Sequence, residues 1–306
     1  MIAPAPPPLA PAEWHALAHA HRDRAEAHTL PVRQRRARGE RDPVGDFLFQ
    51  YYPYPPARLE RWHPGLGVRL RVSPGWEKSF NPEIHHHQHG VIALDPAALA
   101  EKQAARIGWI RELLTATRDR PPNFACHGMH EWAMVYQADD VRHAGSVPLR
   151  LPQAEIDAIV RSRPIACSHH DAFRFFAHGA RPLNRLQPSF DTRIAHEQPA
   201  CIHANMDLYK WAQKLMPWCG SAVLLDAFEL ACQLREIDMR ASPYDLRAHG
   251  LAPIHIETAD GRREYEAHQR RLANHARPLR QRLIDICERL LHGRSQSQPA
   301  HSPAHP

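Results

Sequence analysis

The chain has 306 residues, of which 43% are hydrophobic, and its net charge is +6 at pH 7. No apolar run approaches the roughly 18 residues that a membrane helix needs, and residues 1–8 lack the charged start and apolar core of a secretory signal. The six cysteines form no C-x-x-C pair, which argues against a disulfide framework. We therefore expect a cytoplasmic protein without a membrane partner.

Hydrophobic periodicity along the chain predicts mostly helices. In chain order, the expected elements are a helix over 12–39 interrupted near Pro31, a hairpin of 68–72 with 91–94, a helix over 96–117, a short strand at 147–151, a long helix over 221–240, a second short strand at 253–257 and a helix over 261–292. The proline- and alanine-rich residues 1–11 and the Ser/Gln/His/Pro tail 295–306 are predicted to be disordered. We expect a mainly α fold with a minor β component (α+β), in which 12–294 form a single compact helical domain with a small hairpin.

Three short blocks of the chain share one pattern. In each, a cysteine follows an alanine and precedes a histidine and an acidic residue, and the blocks span residues 125–132, 166–173 and 200–207. A thiol, an imidazole and a carboxylate in one place are typical of a metal site or an acid–base site. These blocks are therefore the best candidates for a functional site.

The first block places His127, His130 and Glu131 at helical spacing, so that the three side chains can share one helix face. Such a set resembles half of a metal site, or an acid–base site that uses Glu131. Trp132 and Tyr136 lie on an adjoining face and suit a stacking wall. The alternative is a structural helix start, with His127 as its N-terminal cap.

The second block begins a helix, because Ser168 and Asp171 have the spacing of a capping box and Gly179 suits a helix end. Capping does not account for the two histidines of the first turn, His169 and His170. A helix N-terminus disfavours the protonated imidazole and so favours the neutral form that binds metals. Cys167 and His169 are therefore candidate metal ligands.

The third block starts a polar stripe in which Cys201 is followed by His203, Asp207 and Lys210 at helical steps. One interpretation is a solvated ladder of ion pairs on the helix surface. The other makes His203 and Asp207 an acid–base pair, with Cys201 as a metal ligand and Lys210 bound to an anion.

Two further features lie outside the blocks. Asp238 falls on the apolar side of the helix predicted over 221–240, where a carboxylate is costly unless it is paired. We expect it to be buried, either anchoring an arginine or serving in a site. The histidine run 85–89 lies between a proline and a glycine and is predicted to be an exposed loop.

Five segments resemble a bacterial family whose members are labelled 3-methyladenine DNA glycosylases. They are residues 46–52, 61–65, 167–176, 206–211 and 238–246. The resemblance covers nearly the whole chain outside its tails. It implies a DNA-repair enzyme that hydrolyses the N-glycosidic bond of alkylated purines, with double-stranded DNA as its partner.

Such an enzyme flips the damaged base out of the duplex and stacks the cationic ring against aromatic side chains. Asp238 or Asp207 would then orient water and stabilise an oxocarbenium-like sugar. Lys210 and the C-terminal residues 262–306, with nine basic and four acidic side chains, would hold phosphates. The stacking candidates are Trp132, Tyr136, Tyr209 and Trp211.

Two other functions stay open. One is a metalloenzyme that acts on a small molecule, with zinc or non-haem iron as its cofactor. Its ligands would come from Cys126, His127, His130, Cys167, His169, Cys201 and His203. The other is a non-catalytic binding protein in which the cysteines are small core residues.

Overall fold

The computed structural model describes residues 6–72, 80–138 and 147–297. Its helices are α1 (Pro11–Ala37), α2 (Phe47–Tyr51), α3 (Pro56–Glu60), α4 (Glu101–Asp119), α5 (Met129–Met134), α6 (Gln153–Ser162), α7 (His170–Phe173), α8 (Arg193–His196), α9 (Ile202–Lys214), α10 (Gly220–Ala241) and α11 (Ala259–Ser297). Its strands are β1 (Arg69–Arg71), β2 (His85–Gln88) and β3 (Val91–Leu94). The protein is mainly α with a minor β component, as the sequence predicts.

The three strands form one antiparallel sheet in the order β1-β3-β2. The predicted pairing of the two β-rich runs is confirmed, with Leu70 opposite Ile92. The loop predicted over residues 85–89 is wrong, because His85–Gln88 pairs with β3 as an edge strand. His89 and Gly90 have positive φ angles of 51° and 71°, the backbone of a two-residue hairpin turn that matches the strand twist.

Helix α1 continues through Pro31, so the predicted interruption is wrong. Its buried positions run from Trp14 to Val32 along one face, and packing of that face maintains the helix across the proline. Immediately before α1, Leu9 forms a parallel bridge with Leu70. Residues 1–5 and 298–306, which belong to the predicted disordered ends, lie outside the described residues, and α11 extends to Ser297.

The chain divides into two compact units. Unit 1 comprises residues 1–111, 210–226 and 281–306, and unit 2 comprises residues 112–209 and 227–280. The single domain predicted over 12–294 stays a prediction. In unit 1, Trp14, Leu70, Val72 and Ile92 form a hydrophobic cluster that joins α1 to the sheet.

Unit 2 contains the three cysteine blocks and has no regular strand among its described residues. The strand predicted at 147–151 is reduced to one bridge between Leu149 and Tyr244. The strand predicted at 253–257 is wrong, because Pro253 has no N–H to donate and the N–H of Ile254 bonds the carbonyl of Arg240 instead. Within the described ranges, no helix combines the length and the apolar character needed to cross a membrane.

Candidate functional site

A strained turn positions the first cysteine block. His127 and Gly128 both adopt left-handed backbone, with φ angles of 45° and 77°, and α5 begins at Met129. A non-glycine residue in this region is uncommon and is often found at functional sites. The turn places the Sγ atom of Cys126 3.2 Å from Nδ1 of His130, so that thiol and imidazole share a hydrogen bond.

The first buried cluster, the His130 group, contains His130, Glu131, His203 and Asp238. All four are buried, and one ligand atom of each lies within 4.8 Å of the others. Nε2 of His130 is 2.8 Å from Oδ1 of Asp238, and Nε2 of His203 is 3.9 Å from Oδ2 of the same carboxylate. Three separate helices, α5, α9 and α10, therefore meet at Asp238.

Arg235, one turn before Asp238 on α10, joins the two carboxylates of this group. Its terminal nitrogen Nη1 donates to Oε1 of Glu131 at 2.9 Å and to Oδ2 of Asp238 at 3.0 Å. These bonds use one oxygen of each carboxylate. Oδ1 of Asp238 accepts the hydrogen bond of His130 Nε2.

Burial and charge set the protonation of the His130 group. Burial raises the pKa of Asp238, but His130 and Arg235 outweigh it and hold that pKa well below its usual range. Burial opposes the imidazolium of His130, yet Asp238 and Cys126 hold the pKa of His130 well above its usual value. Burial lowers the pKa of His203 to about 3, so its ring is neutral at pH 7. Burial, followed by the charge of Asp238, raises the pKa of Glu131.

A second buried cluster, the His169 group, repeats this arrangement with His169, Glu197 and Asp207. Nε2 of His169 lies 3.3 Å from Oδ2 of Asp207 and 3.7 Å from Oε1 of Glu197. Arg193 joins the two carboxylates, donating to Glu197 at 2.9 Å and to Asp207 at 3.0 Å. Both groups thus contain an imidazole, two carboxylates and a bridging arginine.

The ring of His203 connects the two groups. It lies edge-on to His130 with ring centroids 4.7 Å apart, and it stacks on His169 with centroids 5.5 Å apart. Nε2 of His203 faces Oδ2 of Asp238 at 3.9 Å. The two groups contain four carboxylates and two arginines, and the imidazolium of His130 adds a third positive charge.

A small cavity of about 10 Å³ adjoins the His130 group. All three cysteine blocks contribute to its wall, through Cys126, His130, Cys167, Cys201 and His203. This volume is about that needed for one water-sized particle. Burial raises the pKa of Cys201 to about 12 and that of Cys167 well above its usual value, so both thiols are protonated at pH 7.

The structure separates the predicted site residues into those that meet and those that do not. His127 points to Glu266, with 3.6 Å between Nε2 and Oε2, and stands apart from both groups. Asp207 contacts His169 and Arg193, so the predicted pairing of His203 with Asp207 is wrong.

The cap of the second block also differs from the prediction. The side chain of His169 accepts the N–H of Ala172, and Ser168 Oγ is buried without a hydrogen bond among the described residues. The helix that follows ends at Phe173, well before Gly179. The predicted capping box is therefore wrong, because the imidazole performs the capping.

The aromatic candidates are buried in the core. Trp132 donates to the carbonyl of Ala241, Tyr209 packs edge-on against Phe228, and Tyr136 is buried beside Gly179. Trp211 packs against Trp109, and the ammonium of Lys210 lies 4.8 Å from the Trp211 ring centroid. The predicted stacking wall of Trp132 and Tyr136 does not line the cavity beside His130.

Sequence reasoning missed three members of the site: Arg193, Glu197 and Arg235. Arg193 and Glu197 are four residues apart, and Arg235 and Asp238 are three apart, which is the spacing of ion pairs on a helix. On most helices this spacing indicates a surface pair. The spacing could have identified only Arg235, because Asp238 is already expected to be buried and therefore needs a counter-ion.

No protein-family model, curated protein or solved structure matches this chain.

Proposed function

We propose that the protein is a metal-dependent enzyme whose ion is held by the His130 group. The observation that carries this proposal is the convergence of two imidazoles and two carboxylates, all buried, with ligand atoms within 4.8 Å of one another. An ion with bonds of about 2.0–2.2 Å separates neighbouring ligand atoms by about 3 Å. In the structure His130 Nε2 and Asp238 Oδ1 are 2.8 Å apart and directly hydrogen-bonded, so an ion between them would replace this bond.

The donor set indicates zinc or non-haem iron. Histidine nitrogen and carboxylate oxygen bind both ions, and two histidines with a carboxylate are the ligand set of many iron oxygenases and zinc hydrolases. His203 supplies a neutral imidazole, and Asp238 an ionised carboxylate. Cys126 on Nδ1 of His130 occupies the position of an outer partner that orients a metal-binding histidine.

Charge supports the same proposal. The two groups carry two more carboxylates than arginines, an excess that the protonated ring of His130 offsets only in part. A divalent ion offsets two charges, and its binding would displace the proton of His130. The adjoining cavity offers space for a water or a small substrate atom beside the ion, which a catalytic metal requires.

The test is metal analysis of protein purified without a histidine tag. We expect at least one zinc or iron ion per chain, which an absorption spectrum would assign, and loss of that ion in His203→Gln. His127→Gln is the matched control, because His127 lies in the same region but outside both groups. Glu131→Gln serves if His203→Gln does not fold. Metal-free protein, or a full metal content in both His203→Gln and Glu131→Gln, would refute the proposal.

DNA glycosylase activity, implied by the resemblance, is the second hypothesis. One observation favours it: Asp238 is held ionised in a buried site, as a carboxylate facing an oxocarbenium-like sugar must be. The cavity beside it, of about 10 Å³, is much smaller than a flipped base. Release of 3-methyladenine from alkylated DNA, lost in Asp238→Asn, would support the glycosylase. If both assays are negative, a non-catalytic binding protein is the remaining hypothesis.

A further inference from the structure

Unit 1 contains a larger cavity that has no connection with the metal proposal. Its volume is about 850 Å³, and its wall comes from one face of α1, from residues 54–63 and from the segment that begins β2. Ligand-binding clefts usually measure about 300–1,000 Å³. The size is therefore that of a site for a small organic molecule.

The rim of this cavity carries unneutralised positive charge. Arg22, Arg58 and Arg61 are exposed there, and among the described residues none has a carboxylate partner. The two acidic residues of the wall, Glu26 and Glu60, both face Arg33, at 3.8 Å and 3.3 Å. Guanidinium groups in the wall of a cavity favour a phosphate or carboxylate, which accepts their forked hydrogen bonds.

Two histidines of the wall have unsatisfied ring nitrogens. Nδ1 of His85 donates to the carbonyl of Asn81 at 2.8 Å, so in the neutral ring Nε2 is an acceptor. That Nε2 atom and Nδ1 of His63 are buried without a hydrogen-bond partner in the described ranges, and the two rings are 5.5 Å apart. Burial lowers the pKa of His63 to about 4, which keeps the ring neutral at pH 7.

Buried polar atoms without partners are costly, so these nitrogens suit a ligand that carries hydroxyl or amino groups. A metal is a weaker explanation, because among the described residues no three metal-binding side chains converge at this cavity. The wall also contains Trp62, which stacks parallel to Trp14 at a centroid distance of 6.0 Å. Its partly buried indole offers a flat surface to a ring.

We propose that the unit 1 cavity binds a small organic phosphate that carries an aromatic ring, of the size of a mononucleotide. The phosphate lies at Arg58 and Arg61, the ring lies against the aromatic wall, and polar groups of the ring bond His63 and His85. Each requirement comes from a different part of the wall. The proposal is independent of whether the His130 group binds a metal.

Calorimetric titration of the full-length protein with adenosine 5′-monophosphate tests this site, with adenosine and inorganic phosphate as partial probes. We expect one site for the nucleotide and at least about tenfold weaker binding of each partial probe, since each lacks one set of contacts. The double variant Arg58→Ala/Arg61→Ala should weaken nucleotide binding at least about tenfold, and higher salt should weaken it in the native protein.

Arg106→Ala is the matched control, because Arg106 is an exposed arginine of unit 1 that does not line the cavity. It should leave the affinity unchanged. Both arginines of the double variant are exposed, so circular dichroism should show native folding. No binding of the nucleotide at millimolar concentration, or equal affinity in native protein and double variant, would overturn the proposal.

Discussion

Replacement of Asp238 by asparagine tests whether the buried network stabilises the fold. Asp238 is fully buried and accepts hydrogen bonds from His130 at 2.8 Å and from Arg235 at 3.0 Å. Asparagine retains one acceptor oxygen, so the amide group must face the other donor. One charge-assisted bond is lost, worth about 1.5–3 kcal/mol, and a buried charge loses its counter-ion. Breaking a buried pair typically costs about 3–5 kcal/mol, which is our estimate for Asp238→Asn.

Asp226→Asn is the matched control on the same helix. Asp226 also bonds two arginines, Arg24 at 2.9 Å and Arg282 at 2.7 Å, but its side chain is 34% exposed. Exposed ion pairs contribute about 0–1 kcal/mol, so this variant should lose no more than that. Urea unfolding followed by circular dichroism, in chelator-treated protein to remove any contribution of metal, measures both losses. Equal losses in the two variants would refute the reasoning.

Three further predictions concern pH and backbone geometry. Hydrogen bonds from Arg150 hold the pKa of Glu257 at about 2 against the opposing effect of burial, so this carboxylate contributes stability above pH 4.5 that is lost as the pH falls towards 2. In Glu257→Gln the free energy of unfolding should fall less steeply between pH 4.5 and 2 than in the native protein. An unchanged slope in acid unfolding curves would contradict this expectation. The ring of His63, with its pKa lowered to about 4 by burial, should remain neutral at pH 5.5 in an NMR titration, whereas a midpoint near 6.5 would show that it is solvated. The free energy of unfolding should accordingly rise with pH between 4 and 6.5. In this range the His63 ring is protonated in the unfolded chain but neutral in the folded protein. Gly261→Ala should destabilise the fold by about 3 kcal/mol, since the added Cβ would lie 2.0 Å from a backbone oxygen. Gly108→Ala, in open space within α4, should stabilise it by about 0.5–1 kcal/mol. Similar thermal unfolding midpoints for the two variants would contradict both expectations.

The sequence predicts local features well, because they follow from periodicity. The long helices α10 and α11 and the pairing of β1 with β3 were all expected from patterns within a few residues. The burial of Asp238 followed from its position on an apolar face. The strand His85–Gln88 is not predicted, because its polar side chains lack the alternating hydrophobic pattern of a strand. Pairing with β3 is what makes the extended conformation favourable there.

The same patterns do not predict contacts between residues that are distant in the sequence. Periodicity shows the face of a helix but not the segment that packs on it. It therefore favoured the local pairing of His203 with Asp207, whereas His130 bonds Asp238 across 108 residues. Arg193 and Glu197 lie around a four-residue helix, too short for a periodic signal.

The wide sequence separation within the His130 group has a consequence for the order of assembly. Glu131 and Arg235, which share a hydrogen bond, are 104 residues apart, and the intervening chain supplies His169, His203 and Asp207. Contacts between residues so far apart in the sequence form late in folding, because the entropy cost of closing the intervening chain comes before the contact contributes any stabilisation. We therefore expect the carboxylate of Glu131 to become buried only after α10 has been synthesised. A nascent chain that ends before Arg235 contains all three cysteine blocks, but it lacks Asp238 and the arginine that bonds Glu131.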